Sequence, residues 1–507
     1  MRLSSSEDLL VMGRYSFLVC TFTEIAMLSQ LSNTMYMVYA GTPPRILSCK
    51  NQSFATNEEA CQNYETHCNR GKFELESQFE GIVEEFSLHC SGLEIERMGT
   101  SIQMIGLVLG CLFFGAISDR FGRKWPMFLC LVMCAILGAI SSLTTTFWTF
   151  TGVRTVLSFF NGGQSTISVV FLLENVPKSF RMLVSTLISF SPNVIFFGFI
   201  AFLCPSWRAL AAVVSSLILP SLCILPFLHE SPRWMMQKGK IAEAQKAHSQ
   251  IMKFNGMQNI YSADELTALL QNEYDSVGEQ NINHSFKDLF KNSIFGAASA
   301  FAFSFFSSTF INYGNMFNLG AISGSIFLNS ILIGFLRYSV SISCGLIDQK
   351  YEWFNRRLSH FLCVLMTAAS LIISFLLKYY GNENLLIETV VRICVLVSCA
   401  MTSQVVIIAS VACNEFMPTA VRTKAYSIAQ LSSRLGIVLA PHIFTPFFEF
   451  FNIKPFPYLI LFGLCVLDVL FFQIFVPETK NRNMRDHVRG NKKPEDAILL
   501  KEDRSKA

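Results

Sequence analysis

Charged side chains set inside apolar runs are the residues of this sequence best placed to do chemistry, because a charge in hydrocarbon is costly and usually faces a cavity or a partner. Arg434 stands in Ser432-Ser433-Arg434-Leu435-Gly436-Ile437, twelve residues beyond Arg422. On a helix rising 1.5 Å per residue, that is about 18 Å of depth, near the middle of a bilayer. A guanidinium there is a permanently charged fork suited to a carboxylate or a sulfonate. Glu24 and Asp468 are single carboxylates in two other apolar runs, each able to take a proton, a cationic group or an arginine such as Arg434. Arg337 adds cavity charge, and Arg154 lies early in a further run. Aromatic residues crowd the run holding Phe301, Phe303, Phe305, Phe306 and Phe310, followed by Asn312 and Tyr313-Gly314; Phe159-Phe160 stand in another. An aromatic lining with few charges suits an amphipathic organic ion better than a sugar, which needs many hydrogen-bonding groups.

A second set of charges lies at the ends of apolar runs and repeats along the chain. Gly115-x-x-x-Asp119-Arg120-x-Gly122-Arg123-Lys124 has a degraded echo in Gly345-x-x-Asp348, with Lys350–Asn355 inserted before Arg356-Arg357. Glu174-x-x-Pro177-x-x-x-Arg181 recurs with the same spacing as Glu415-x-x-Pro418-x-x-x-Arg422, and Glu230-Ser231-Pro232-Arg233 is answered by Pro477-Glu478-Thr479-Lys480. Three correspondences imply a duplicated unit, an arrangement that commonly places a binding site near the midplane between halves. Glu174 with Arg181, and Glu415 with Arg422, are expected to pair across neighbouring helix ends. With Asp119, Arg120, Arg123, Asp348, Glu230, Arg233 and Glu478 they would form a gate that holds one conformation shut. The plainer alternative is topogenic charges and surface ion pairs worth about 0–1 kcal/mol each. The eight His are scattered, and no Ser/His/Asp constellation is visible. Neither an enzyme, a metal site nor a cofactor is expected.

The elements that must position these residues follow from composition. Of 507 residues, 51% are hydrophobic and only 15% charged, with a mean hydropathy of +0.42. A soluble domain carries roughly 25% charged residues. The apolar runs are near the 20 residues needed to cross a bilayer, so the chain reads as an all-α polytopic membrane protein. Twelve spans are drawn at 15–38, 99–117, 125–145, 148–172, 182–203, 208–228, 292–312, 321–347, 359–379, 386–411, 424–447 and 457–476. They form two six-helix bundles, 15–228 and 292–476, flanked by tails 1–14 and 477–507 and separated by a polar loop 229–291. Lys and Arg cluster in loops that alternate onto one side, which places both termini in the cytoplasm. Residues 1–14 are polar and the first apolar run reaches spanning length, so no cleavable signal peptide is expected. The basic tail lacks interleaved aromatics, which argues against nucleic acid as a partner and for lipid headgroups or topology.

Sixteen Cys are present, and four of them (Cys49, Cys61, Cys68, Cys90) share the polar segment 39–98 with ten Glu and the sequon Asn51-Gln52-Ser53. That combination predicts an oxidising, extracellular loop glycosylated at Asn51 and closed by two disulfides, with three pairings open.

Gly115–Lys124, the paired E-x-x-P-x-x-x-R elements, Glu230-Ser231-Pro232-Arg233-Trp234 and Pro477–Lys480 together resemble the major facilitator superfamily, and the large Cys-bearing loop after the first helix resembles its organic ion branch, solute carrier family 22. The resemblance covers nearly the whole chain. It implies a plasma-membrane transporter of a small organic ion working by alternating access. The position matching Arg434 is Arg in many organic anion transporters and Asp in organic cation transporters, so the resemblance points to anions. Where the family often has two adjacent tyrosines, this chain has Asn312-Tyr313. Where organic anion transporters often have a lysine, Ser339 and Ser341 stand a turn beyond Arg337. An organic cation or a carnitine-like zwitterion, held by Glu24 or Asp468, is the alternative cargo. A non-transporting receptor on the same fold is a third reading. The oligomeric state does not follow from the sequence.

Overall fold

The apolar runs fold into helices, and capping residues or prolines mark the starts of several of them. The computed structural model describes residues 11–49, 52–54, 57–62, 73–90, 92–177, 184, 188, 190–257, 266–272, 274, 292–321, 324–381, 384–417, 419–444 and 455–480. Twelve of the helical segments in them lie in the apolar runs: α1 (Arg14–Ala40), α2 (Gly92–Phe121), α3 (Lys124–Ser141), α4 (Phe147–Asn175), α5 (Phe190–Leu203), α6 (Trp207–Phe227), α7 (Asn292–Phe317), α8 (Ile326–Lys350), α9 (Arg356–Tyr380), α10 (Leu385–Phe416), α11 (Thr419–Leu439) and α12 (Phe456–Phe475). The Thr146 hydroxyl accepts from Thr149 N to start α4, and Asn355 Oδ1 accepts from Leu358 N to start α9. Each satisfies a donor that the first helical turn leaves free. α6 is broken into stretches Trp207–Ser216, Leu219–Ile224 and Leu225–Phe227, with Pro220 and Pro226 at the restarts.

Eight of these helices are long and apolar enough to cross a membrane by length and composition among the described residues. Two of the other four, α1 and α7, are polar because they are interior. Gln30, Ser32, Asn33 and Thr34 of α1 and Ser304, Ser307, Thr309 and Asn312 of α7 are all buried. Many of these side chains bond back to their own helix, as Asn33 Nδ2 does to Ser29 O at 3.2 Å, which limits the burial cost.

Helices α1–α6 pack among themselves, most extensively α2 on α4 and α3 on α4, and α7–α12 do the same through α9 on α10 and α7 on α11. The α2–α4 contact is backbone to backbone. A Cβ at Gly110 would overlap the Phe159 carbonyl, and one at Gly162 the Leu107 carbonyl. Small residues let helices approach closely where lipid supplies no hydrophobic drive. The two groups of helices meet mainly through α5 on α8 and α2 on α11. Under the six-helix duplication these two contacts are copies of each other.

Every described hydrogen bond between the two groups lies at the end carrying segment 39–98, the loop end. Arg97 donates to Phe444 O (2.6 Å) and Ser101 to Val438 O (2.8 Å), with His442 Nε2 2.9 Å from the Ser101 hydroxyl. Gln78, in the loop itself, donates to Gly324 O (3.3 Å) and accepts from Ile326 N (3.2 Å). The molecule is closed at its loop end.

The loop adds a small sheet to the all-α membrane part. β1 (Arg45–Cys49), β2 (Gln52–Ser53) and β3 (Phe73–Glu76) are antiparallel in the order β2-β1-β3, with Ser48 opposite Ser53 and Ile46 opposite Leu75. Cys61 and Cys90 are bridged. Asn51, Cys68 and the Cys49 side chain lie outside the described residues. The loop is anchored to α6 by Trp207 Nε1 on Glu85 Oε2 (2.6 Å) and Arg208 on both Glu85 oxygens. Burial raises the Glu85 pKa, but these donors outweigh it and hold the carboxyl below its ordinary value. At the other end, helix Ile241–Phe254 docks beneath α1. Tyr15 N donates to Asn255 Oδ1 (2.9 Å) and His229 N to the Tyr15 hydroxyl (3.0 Å). Burial in that helix pushes the His248 imidazole down to about 4.

Candidate functional site

The residues expected to bind cargo converge in part, on α7, α8 and α11. The Thr309 hydroxyl meets that of Ser433 at 2.8 Å. Beside it, Gly436 brings α11 so near α7 that a Cβ there would lie 2.8 Å from Phe306 O and 3.1 Å from Phe310 N. That approach sets Arg434 within electrostatic reach of Tyr313, and Arg337 of α8 reaches the same phenol. Both guanidiniums are half-buried, and neither has an ion-pair partner among the described residues. Arg337 Nε is buried without a hydrogen bond, as is Asn312 Oδ1. Phe306 and Phe310 stack at 5.7 Å and 9°, and Tyr313 tilts against Phe317 at 6.0 Å. The result is two cations, a phenol, an amide and a stacked aromatic pair on three neighbouring helices.

Other expected residues stand elsewhere. Glu24 on α1 hydrogen-bonds to Asn193 of α5, and its Oε2 is buried without a partner. Arg154 is fully buried, donates to Asn33 O (2.8 Å) and Oδ1 (3.2 Å), and lies 4.1 Å over the Tyr36 ring. Phe159 packs between α2 and α4 against Phe113 and Phe114, 5.5 and 5.3 Å away, apart from the Tyr313 group. Among the described residues Asp468 pairs with no arginine, Arg434 included. It is enclosed by α7 and α9, where Ser304 donates to its Oδ2 at 3.3 Å and His360 Nε2 lies 3.7 Å away.

The repeated charge motifs assemble two matching knots at the end opposite the loop. In the first, Arg123 grips Glu174 with both arms of its fork (3.0 and 3.3 Å) and Asp119 at 2.6 Å. Glu230 accepts from the backbone N–H groups of Arg123 (2.8 Å) and Lys124 (3.0 Å) where α3 begins. The chain reverses direction there at Gly122, φ +101°, a conformation that favours glycine. In the second knot Arg356 grips Glu415 (3.1 and 3.3 Å) and Asp348 (2.9 Å). Glu478 accepts from Arg356 N and Arg357 N, both at 3.1 Å, where α9 begins. Burial raises the Glu478 pKa, but bonds from the Lys480, Arg357, Arg356 and Thr479 amides hold it below the ordinary carboxylate value.

These pairings differ from the expected gate. Each knot lies within one group of helices, and the carboxylates of Glu174 and Glu415 go to Arg123 and Arg356. Arg181 and the Arg422 side chain lie outside the described residues. Arg120 is exposed and lies 5.4 Å over the Phe121 ring, outside the knot; Arg233 is half-buried in helix Pro232–Gln237. Lys480 replaces what the echo motif lacks, forming an ion pair with Asp348 Oδ1 at 3.1 Å and donating to the carbonyls of Asp348, Tyr351 and Phe354 around the six-residue insertion. Arg356 and Lys480 were legible as charges but not as partners, because the insertion displaces Arg356 from the spacing of the first half. His360, Ser304 and Asn193 carried no motif.

Residues 20–487 match the family model described as "Sugar (and other) transporter". The chain is 25% identical over 504 residues to a solute carrier family 22 member 15-like protein of Xenopus laevis, covering 97% of each. It is 24% identical to organic anion transporter 3 of Sus scrofa, over 81% of this chain and 74% of that one. Organic cation/carnitine transporter 4 of Arabidopsis thaliana is 25% identical, over 94% and 88%. Among solved structures, the proton:xylose symporter XylE bound to 6-bromo-6-deoxy-D-glucose aligns with a TM-score of 0.64 at 19% identity, covering 93% of this chain and 98% of that one. An inward open conformation of XylE from E. coli aligns equally well, at 18% identity with the same coverage.

Proposed function

Because the chain belongs to the sugar (and other) transporter family, is built on the major facilitator fold and has solute carrier family 22 relatives, we propose that it carries amphipathic organic anions across the plasma membrane by alternating access. One observation carries this reading: Arg434 and Arg337 both lie within electrostatic range of Tyr313, inside the span region, and lack an anionic partner among the described residues. A guanidinium held at that depth at such cost needs a counter-ion, and the cargo supplies it. Arg434 takes the anionic head, while Phe306, Phe310 and Tyr313 cover the apolar body. With segment 39–98 outside and both termini in the cytoplasm, this conformation is closed outward. The bundles 15–228 and 292–476 rock about the site, each held rigid by its own charge knot. No covalent chemistry is required.

A second reading, a carnitine-like zwitterion, is favoured by the unpartnered Glu24 Oε2, which offers an ammonium site on α1. Uptake separates the two when estrone sulfate, para-aminohippurate and urate are compared with tetraethylammonium and carnitine, in wild type and Arg434→Ala. The anion reading expects saturable anion uptake that falls about tenfold or more in the variant, the cost of losing one charge-assisted bond. Cation or carnitine uptake that survives Arg434→Ala would overturn it. Surface-expressed protein that binds anions without moving them would leave a receptor.

A further inference from the structure

Asp468 and His360 are titratable groups that the cargo site does not use. Their side chains are 3% and 0% exposed, between α7, α9 and α12. They do not touch directly, at 3.7 Å; the Ser304 hydroxyl stands between them, 3.0 Å from His360 Nε2 and 3.3 Å from Asp468 Oδ2. Ser304 has one proton, and it is donated to Asp468, so the imidazole must donate Nε2–H to Ser304 Oγ. That tautomer leaves Nδ1 as a bare lone pair, and Nδ1 is buried without a hydrogen-bond partner. The three side chains are thus an oriented proton wire with an empty acceptor at one end and a carboxylate at the other.

Among the described residues no lysine or arginine pairs with the carboxylate. From α7 the hydroxyls of Ser304 and Ser307 face it, and the Ser307 hydroxyl also lies 3.2 Å from the Ser304 carbonyl. On α12 itself, Cys465 is the titratable neighbour. On α9, a turn from His360, Arg356 is held by Asp348 and Glu415, and Arg357 by Gln473. Phe472 covers the imidazole face at 3.6 Å and is itself crossed by Phe301 at 5.8 Å. A charge in so enclosed a place is costly unless it is neutralised.

We propose that Asp468, Ser304 and His360 form a reversible proton-binding site. A proton adds to His360 Nδ1; the Nε2 proton passes to Ser304 Oγ, and the Ser304 hydroxyl proton passes to Asp468 Oδ2. The imidazole ends neutral as the Nδ1–H tautomer, the carboxylate ends as a neutral acid, and the cluster has gained one proton and lost one negative charge. Ser304 is two residues from Phe306 on α7, so occupancy is felt on the helix that carries the cargo aromatics. Proton and cargo affinities are then linked reciprocally.

Infrared spectroscopy of the purified full chain in lipid tests this without any cargo, so a wrong cargo class leaves the test untouched. The difference between wild type and Asp468→Asn isolates the carboxylic-acid band of Asp468 above about 1700 cm⁻¹ from those of other buried carboxyls. The expected result is a band that disappears reversibly as pH rises between about 5 and 9. Its midpoint should rise by about one unit in His360→Leu, which removes the donor supporting the ionised form, and stay near the wild-type value in His360→Gln, which restores a donor. A band that never titrates in that window, or a midpoint that His360→Leu leaves in place, would overturn the proposal.

Discussion

Two carboxylates bound to the same arginine need not matter equally. Arg123 is 6% exposed in its side chain and Glu174 12%, whereas Asp119 is 73% exposed. Removing one partner of a buried pair strands the other, at a cost of about 3–5 kcal/mol. An exposed partner contributes roughly 0–1 kcal/mol. Glu174→Ala should therefore lower the melting temperature of the purified protein and its surface yield sharply, and Asp119→Ala should change either only slightly. Equal effects would mean that the knot acts through something other than burial. At this scale the sequence was informative about identity and poor about pairing. Arg434, Tyr313 and Asn312 could be singled out because depth and residue type are local properties. That Glu174 meets Arg123 across 51 residues of chain, or that Asp468 sits with His360 and not with an arginine, depends on which helix faces which, and that is not local.

Element positions were legible because a hydrocarbon barrier demands long apolar runs, and all twelve helical segments fall where such runs do. Polarity within them was harder to interpret. The many serines, threonines and asparagines of α1 and α7 weaken the spanning signal, yet they mark the helices buried at the centre. Helix contacts that depend on missing atoms are plainer. Gly110 of α2 meets the Phe159 carbonyl of α4 with no room for a methyl group. Gly110→Leu should prevent α2 and α4 from closing and abolish surface expression, while Gly152→Leu on α4, where a Cβ has open space, should be tolerated. Flow cytometry of tagged protein on intact cells reads both; normal surface levels of Gly110→Leu would show that the helices can separate without loss of fold. The loop was anticipated by its cysteines and not by its strands, since short, charged segments such as Phe73-Glu74-Leu75-Glu76 become a sheet only when β1 lies beside them.

At the scale of the whole molecule, the duplication visible in the motifs reappears as two equivalent contacts, α5 on α8 and α2 on α11, and two equivalent charge knots. What no repeat could reveal is which end is shut. Ser101 and His442 belong to opposite groups of helices and touch at 2.9 Å. In a transporter that alternates, they must part in every cycle. Ser101→Cys with His442→Cys, joined by a short thiol cross-linker, should stop uptake, and a cleavable linker should restore it on reduction. Undiminished uptake in the cross-linked protein would exclude opening at this end. Gln78 extends the same seam beyond the helices, because a side chain of the loop, anchored to one group through Trp207 and Arg208, reaches over to clasp Gly324 and Ile326 of the other. In the proposed cycle the clasp has to release whenever the loop end opens, so it would act as a brake on turnover. A binder such as an antibody that tightened or displaced the loop would then slow or quicken each cycle from the loop side, without entering the path the cargo takes.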